Sequence, residues 1–280
     1  MLSSIRPFVV AAGLLAAGLA QAQPESQPKV QSDSQPKVFA AASTRGELVV
    51  GVPYLAPPPA AGAKIRTPEG LDAAITERLG ASLKLPVRLV QVPARDAARA
   101  LAAGEVDLVL ADNADGQPQT VAVQPTGYAA RPKAVIRSDT RLRKPVDVQG
   151  RSVCMAEAAT QAKALAQSWG AAVKTYRVPS DALVAVREGE CDIGLVDDAV
   201  WEPLMRFPEW KKFSSTLAAD GARHERVWLV PARDEASRAW LGQQMRAWDR
   251  AGAWKAMTTK WARDVAFDVY LDQEVPDCHG

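Results

Sequence analysis

From residue 48 onward, short apolar runs alternate with segments whose apolar residues recur at helical spacing. The runs at residues 48–52, 87–92 and 106–110 are rich in Val and Leu, and each predicts a buried strand. Between them, residues 70–83 carry apolar side chains three to four positions apart and residues 94–103 are rich in Ala, so both segments predict helices. This strand–helix order predicts a mostly parallel sheet with helices on both faces.

The same order of elements returns in the second half of the chain. It predicts three further strands and two further helices, at residues 152–155, 160–169, 173–176, 180–188 and 192–195. The helix-to-strand corner also repeats, as Gly104-Glu105-Val106-Asp107 and as Gly189-Glu190-Cys191-Asp192. Gly suits the left-handed backbone with which many helices end. We interpret the repeat as two similar lobes, the alternative being two unrelated helix–strand units with a common type of corner.

The N-terminus has the pattern of an export signal. Arg6 supplies a positive charge, residues 8–19 are apolar, and Ala20-Gln21-Ala22 has the small-x-small pattern of a cleavage site. The apolar run is shorter than the roughly 20 residues that span a bilayer. We therefore predict a cleavable signal peptide over residues 1–22 and a periplasmic protein. Residues 23–45 are dominated by Gln, Pro, Ser and Lys, which predicts a disordered linker.

Charge and motifs exclude several classes of function. The 34 basic and 32 acidic residues are interspersed and give a net charge of +2, which argues against a nucleic-acid partner. His224 and His279 lie far apart, and no Cys-x-x-Cys motif, glycine-rich phosphate loop or Gly-x-Ser-x-Gly is present. We therefore expect no metal, no cofactor and no catalytic residue.

Several short segments follow one another in the order of a known family. They are the opening strand at residues 47–52, Glu69-Gly70-Leu71-Asp72 before the first helix, the two corners, residues 148–153, Ala251-Gly252-Ala253-Trp254 and Lys260-Trp261. In this order and spacing, over about residues 46–269, the chain resembles the extracellular solute-binding proteins of family 3. These are the periplasmic receptors of amino-acid-type ABC transporters.

The resemblance implies both a fold and a function. The fold is the type II periplasmic-binding-protein fold of the α/β class, with two doubly wound lobes joined by two crossover strands. Lobe 1 would comprise residues 46–130 and 227–271, lobe 2 residues 131–226, and residues 272–280 would form a tail. The protein would be a monomer and not an enzyme. It would capture a small polar ligand, amino-acid-like or amine-bearing, by hinge closure and deliver it to the membrane permease of an ABC transporter.

Ligands of such folds bind beyond the carboxyl ends of the strands. The candidate ligand-binding residues are Tyr54, Asp72, Asp112, Asp115, Arg131, Glu157, Thr160 and Asp197. By resemblance, Asp197 matches the aspartate that binds a ligand ammonium, and Thr160 falls in the loop that meets a ligand carboxylate. An Asp after a strand is also a common helix cap. We expect Asp197 to bind the ligand and Asp198 to be the cap.

One segment departs from the family pattern. Amino-acid receptors carry an arginine in a Thr-x-x-Arg segment after the third strand, and this arginine pairs with the ligand carboxylate. Here residues 113–119 hold no arginine. Arg131 could take its place, or it could form a surface or hinge ion pair. The departure favours an amine-bearing, cationic or polyol-like ligand over an ordinary α-amino acid.

The fold leaves two other functions open. One is a periplasmic enzyme similar to cyclohexadienyl dehydratase, for which Glu157 would be the candidate general acid, with a solvated Glu at a helix start as the alternative. The other is an accessory protein that docks on a periplasmic dehydrogenase.

Two cysteines predict a disulfide bond. In a doubly wound lobe, the strands that hold Cys154 and Cys191 would be neighbours, with both residues at the same end. Exported proteins meet an oxidising compartment. We predict a bridge between them, with two unpaired buried thiols as the alternative, and expect Cys278 in the tail to stay unpaired.

Overall fold

The computed structural model describes residues 37–59, 69–113, 116–214, 217 and 221–271. The predicted signal peptide, most of the predicted linker, and the tail with Cys278 lie outside these residues. None of the helices in the described part combines the length and apolar character needed to cross a membrane.

The described residues form ten strands and eight helices. The strands are β1 (Leu48–Val52), β2 (Val87–Gln91), β3 (Leu108–Asp112), β4 (Val121–Ala130), β5 (Pro132–Arg137), β6 (Ser152–Ala156), β7 (Ala172–Tyr176), β8 (Ile193–Asp197), β9 (Phe213–Ser214) and β10 (His224–Pro231). The helices are α1 (Ala40–Arg45), α2 (Leu71–Leu83), α3 (Ala97–Ala103), α4 (Thr160–Ser168), α5 (Pro179–Glu188), α6 (Asp198–Leu204), α7 (Glu235–Arg250) and α8 (Ala253–Leu271).

The strands form two five-stranded sheets with the orders β2-β1-β3-β10-β4 and β7-β6-β8-β5-β9. In the first sheet β1 runs parallel to β2 and β3, while β10 is antiparallel to β3 and β4. In the second sheet β6 runs parallel to β7 and β8, while β5 is antiparallel to β8 and β9. The expected two-sheet α/β fold is confirmed. Each sheet joins a parallel trio to two antiparallel strands, so the sheets are more mixed than predicted.

The repeated Gly-Glu-x-Asp corner has the same role in both sheets. Asp107 accepts a hydrogen bond from the backbone N–H of Val49 at 2.7 Å, which ties the corner to β1. Asp192 accepts one from the backbone N–H of Ser152 at 2.9 Å, which ties the second corner to β6. The corner therefore fixes a parallel strand to its neighbour in each sheet. β3 begins two residues later than predicted. Val106 is buried, but it lies before Asp107 and belongs to the corner, so the strand starts only at Leu108.

The end of the expected linker is folded, which corrects the prediction for residues 40–45. These residues form α1, and Ala42 and the preceding Phe39 are buried. The backbone N–H of Phe39 donates to the hydroxyl of Ser237 at 2.7 Å, and its ring packs edge-on against Trp240. The run from Phe39 to Ala42 is apolar, unlike the Gln- and Pro-rich sequence before it. It therefore packs with the first sheet.

Helix α8 contacts the cores of both sheets. Ala253 and Trp254, at its start, pack in the core that contains β1 and α2. Trp261 and Val265, two and three turns later, pack in the core that contains β6, α5 and α6. A 19-residue helix is about 28 Å long, enough to reach across both. We expected residues 227–271 to belong to lobe 1. The later part of α8 instead packs in the core of lobe 2.

The predicted disulfide bond between Cys154 and Cys191 is confirmed. The two Cα atoms are 6.0 Å apart, within the usual range for a bridge. Cys154 lies in β6 and Cys191 lies just before the parallel neighbour β8. Both residues are buried in the core of the second lobe.

Candidate ligand-binding cleft

A cleft lies where the parallel strands of the two sheets end. Its volume is about 1200 Å³, including the space open to solvent. Val52 and Asp112 line it from the carboxyl ends of β1 and β3, and Ala156 and Asp197 from those of β6 and β8. This is where the sequence placed the ligand, because strand ends of parallel sheets leave their following loops free for binding.

The two lobes contact each other at the rim of the cleft. Arg177, which follows β7, donates from Nη1 to the carbonyl of Pro57 at 3.4 Å. Trp261 of α8 donates from Nε1 to the carbonyl of Glu69 at 2.8 Å. Both bonds join a group packed with the second lobe to a loop of the first. The mouth of the cleft is therefore held by a few polar contacts that can form and break.

An arginine that the sequence analysis did not select lies at the base of the cleft. Arg226 of β10 is the cross-strand neighbour of Asp112, and its Nη1 lies 2.8 Å from the Asp112 carboxylate. Its Nε lies 3.2 Å from Oδ1 of Asp72, and its Nη2 pairs with Oδ2 of the same carboxylate. Burial disfavours the charge, but the two carboxylates outweigh it and raise the pKa of Arg226 above its ordinary value. An arginine directly before the apolar run of β10 was the available signal, since a buried charge requires a partner.

Asp197 also lies at the base of the cleft. The hydroxyl of Tyr128 donates to its Oδ2 at 3.1 Å, and Nε2 of His224 lies 3.9 Å from its Oδ1. In the described residues no lysine or arginine is within ion-pair distance of this carboxylate. Its side chain is 37% exposed, so it remains open to the cleft. Burial raises the pKa of Asp197 above 3.8, although the charge of His224 and the Tyr128 hydroxyl act in the opposite direction.

Tyr128 and His224, the two neighbours of Asp197, differ in their proton-donor state and in their other partners. Tyr128 is buried, and burial together with the Asp197 charge raises the pKa of its hydroxyl well above 10.0. It therefore keeps its proton and stays a donor. The Nδ1 atom of His224 is buried and has no hydrogen-bond partner among the described residues. His224 thus faces Asp197 through Nε2 alone.

Five of the eight predicted ligand-binding residues line the cleft. They are Tyr54, Asp72, Asp112, Thr160 and Asp197. Asp115 lies outside the described residues. Arg131 and Glu157 do not line the cleft, and each is instead paired elsewhere.

Arg131 and Asp198 belong to the crossover between the lobes, which corrects two expectations. Asp198 Oδ1 accepts from the backbone N–H of Arg131 at 3.2 Å, and its Oδ2 lies 3.4 Å from Arg131 Nε. The same Oδ2 pairs with Nη2 of Arg223 at 2.8 Å, just before β10. Arg131 is therefore a hinge residue and not an anion partner in the cleft. Asp198 is the first residue of α6 and binds both crossover segments, while Asp197 holds the N-cap position without a side-chain cap bond.

Glu157 is a surface residue. Its side chain is 44% exposed, and Oε1 lies 3.9 Å from Nζ of Lys163 on α4. The enzyme alternative depended on Glu157 as an acid in the cleft. The structure places this carboxyl just before α4, outside the residues that line the cleft.

The described lining carries more negative than positive charge. Its ionisable residues, His224 and the tyrosines aside, are Glu69, Asp72, Asp112, Asp197, Arg177 and Arg226. Four carboxylates thus face two guanidinium groups, an excess of two negative charges. In the described residues no three His, Cys, Asp or Glu side chains converge as a metal site would require. The charges of the described lining therefore suit a positively charged solute.

Comparisons with known proteins agree with this architecture. The profile of the bacterial extracellular solute-binding proteins, family 3, matches residues 48–264. No curated protein matches the sequence.

Solved structures share the fold at low sequence identity. A mutant of ArgBP from T. maritima is 17% identical, with a TM-score of 0.56 over 80% of this chain and 98% of that one. AbpA, an amino acid ABC transporter substrate-binding protein from Streptococcus pneumoniae bound to L-arginine, is 12% identical, with a TM-score of 0.56 over 81% and 98%. A cysteine-binding protein from Campylobacter jejuni is 13% identical, with a TM-score of 0.57 over 82% and 97%.

Proposed function

The chain belongs to the bacterial extracellular solute-binding proteins, family 3, and on that premise we propose that it captures a small amine-bearing solute in the periplasm. The solute binds in the cleft between the two lobes and is passed to the permease of an ABC transporter. The protein itself changes no covalent bond in this role.

The observation that carries the proposal is the state of Asp197. Asp72 and Asp112 share Arg226, whereas Asp197 has only a neutral hydroxyl and a histidine beside it. A partly buried carboxylate with no lysine or arginine paired to it gains much from a ligand that brings a permanent cation. An ammonium group of the solute is such a partner.

The arrangement of the lobes supports capture by closure. The chain passes between the sheets at Arg131, between β4 and β5, and again just before β10. Bending at these two segments can bring the strand ends of the two sheets towards a bound solute. A ligand drives closure only by making better contacts in the closed state. Asp197 on lobe 2, facing Tyr128 and Arg226 on lobe 1, places such contacts on both walls.

Two of the compared proteins are an arginine-binding receptor in its bound form and a cysteine-binding protein. Both ligands carry an ammonium group, and arginine carries a second cation. The excess of negative charge in the present cleft supports a solute with at least one such group. Identity below 20% to these proteins does not transfer their ligands to this chain.

Mass spectrometry of small molecules released by denaturing the purified protein tests the proposal. The expected result is a small amine, which should then bind the ligand-free protein with a 1:1 stoichiometry in a calorimetric titration. X-ray scattering should show a more compact protein in its presence. Release of an acid without an amine group, or failure of every amine in a broad panel to bind, would contradict the proposal.

A further inference from the structure

We infer that the solute is an amine without a carboxylate group, because Asp72 already occupies the guanidinium of Arg226 as a ligand carboxylate would. This inference rests on the proposed capture of an amine and narrows its chemical class. It makes Asp72 a specificity-determining residue.

The contact between Asp72 and Arg226 is bidentate. Nε lies 3.2 Å from Oδ1, and Nη2 pairs with Oδ2. Two parallel N–H···O bonds are the pattern in which an arginine recognises a free carboxylate. Asp112 takes a third donor, Nη1, at 2.8 Å. Protein carboxylates therefore take three of the five N–H donors, along two faces of the planar group.

The other arginine of the cleft is also paired. Arg177 lies 3.4 Å from Asp181, one turn further along α5, and donates to the carbonyl of Pro57. No lysine lies among the described lining residues. In this part of the chain, then, no cation at the cleft lacks a carboxylate of the protein itself.

A carboxylate on the solute would meet an unfavourable site. Beside Arg226 it would add a third negative charge to Asp72 and Asp112, and like charges at this distance repel strongly when partly desolvated. Displacing Asp72 instead would leave that carboxylate, which is 33% exposed, without its partner. An amine that lacks the carboxylate avoids both costs and still reaches Asp197. Diamines and amino alcohols are the simplest members of this class.

The inference can be tested with pairs of probes that differ only in the carboxylate. Suitable pairs are L-arginine and agmatine, L-ornithine and putrescine, and L-serine and ethanolamine. Calorimetric titration of the purified, ligand-free protein should show at least one amine binding about tenfold or more tightly than its amino acid. One charge-assisted contact is worth roughly this factor.

Asp72→Asn is the decisive variant. It releases one face of Arg226 while Asp112 keeps the guanidinium paired, so the preference for the amine should fall by about tenfold or reverse. Asp139→Asn is the matched control, since it removes an arginine-paired carboxylate from an exposed site away from the cleft. It should leave the preference unchanged. If Asp72→Asn does not fold, Asp112→Asn frees another face of Arg226 and carries the same expectation.

The outcomes separate the inference from the proposed function. A wild-type protein that binds an amino acid as tightly as its amine would overturn the inference and leave amine capture standing. The same holds if the variants of Asp72 and Asp112 keep the full wild-type preference. A protein that binds neither member of these pairs nor any amine of a broader panel would overturn both.

Discussion

The hydroxyl of Tyr128 donates a hydrogen bond to the carboxylate of Asp197 at 3.1 Å, and this bond joins the two lobes at the base of the cleft. Tyr128 belongs to β4 of the first sheet and Asp197 ends β8 of the second. The bond orients the Asp197 carboxylate, which has no lysine or arginine paired to it among the described residues. A solute that brings a cation therefore adds an ion pair with Asp197 to the hydrogen bond that already joins the lobes.

Replacing Tyr128 by Phe removes this bond. The ligand-free protein should lose about 1 kcal/mol of unfolding free energy, because the bond is partly buried and Asp197 has no other donor as close among the described residues. Urea unfolding measures the loss. Tyr176→Phe is the matched control, because the Tyr176 hydroxyl donates at the same 3.1 Å distance to Glu190 on the surface. Equal losses in the two variants would show that the Tyr128 bond has no special role.

The affinity for the amine should depend on pH through Asp197. Burial raises the pKa of this carboxyl above 3.8, and only its ionised form attracts an ammonium group. Affinity should therefore be full at neutral pH and fall as the pH drops through the raised pKa, above the range near pH 4 where an ordinary Asp titrates.

The stability of the ligand-free protein should rise, and not fall, as the pH drops through the raised pKa of Asp197. A carboxyl whose pKa is raised by folding destabilises the fold when ionised, and this penalty is relieved as the pH falls below the raised value. Asp197→Asn should abolish both dependences. Affinity is measured by titration at a series of pH values. If wild type and variant lose affinity over the same pH range, the pH dependence belongs to another group.

Asp198 should act on the hinge and not on the ligand. Asp198→Ala removes its bonds to the Arg131 backbone and to the side chains of Arg131 and Arg223, which are more than half exposed. The expected cost is about 1–2 kcal/mol of unfolding free energy, with ligand affinity kept within about threefold. Arg223→Ala should show a smaller loss of the same kind. Strongly reduced affinity at unchanged stability would place Asp198 in the binding site.

The bridge between Cys154 and Cys191 should stabilise the second lobe. The bond spans 37 residues, for which loop-closure entropy gives about 4 kcal/mol. Peptide mapping without reduction should recover these two cysteines in one linked fragment. Replacement of both by Ala should lower the unfolding free energy by up to that amount, and free thiols at both positions in the native protein would contradict the bond.

The strand–helix order and the disulfide bond could be predicted from the sequence because both depend on local patterns. Apolar runs and helical spacing located β1 at its observed bounds and eight of the nine other predicted elements within two residues. The repeated Gly-Glu-x-Asp corner indicated that Cys191 precedes a strand beside the one holding Cys154. The order of strands in a doubly wound sheet then placed the two cysteines at the same end of neighbouring strands.

The state of the charges in the cleft could not be predicted in this way. Arg226 meets Asp72 and Asp112 across 154 and 114 residues of sequence, and only the antiparallel position of β10 beside β3 brings them together. The sequence leaves Arg131 either as an anion partner or in a surface or hinge ion pair, and only its contact with Asp198 decides between these roles. A position close to a site in sequence does not determine which way a long side chain points.

Calorimetric titration of the amine against wild type and Asp197→Asn shows whether Asp197 holds the cation of the solute. The substitution keeps the shape of the side chain and removes its charge. We expect a loss of affinity of roughly tenfold to a hundredfold, with the melting temperature of the ligand-free protein unchanged or raised. Affinity within twofold of wild type would contradict it, since the carboxylate of Asp197 would then not hold the cation of the solute.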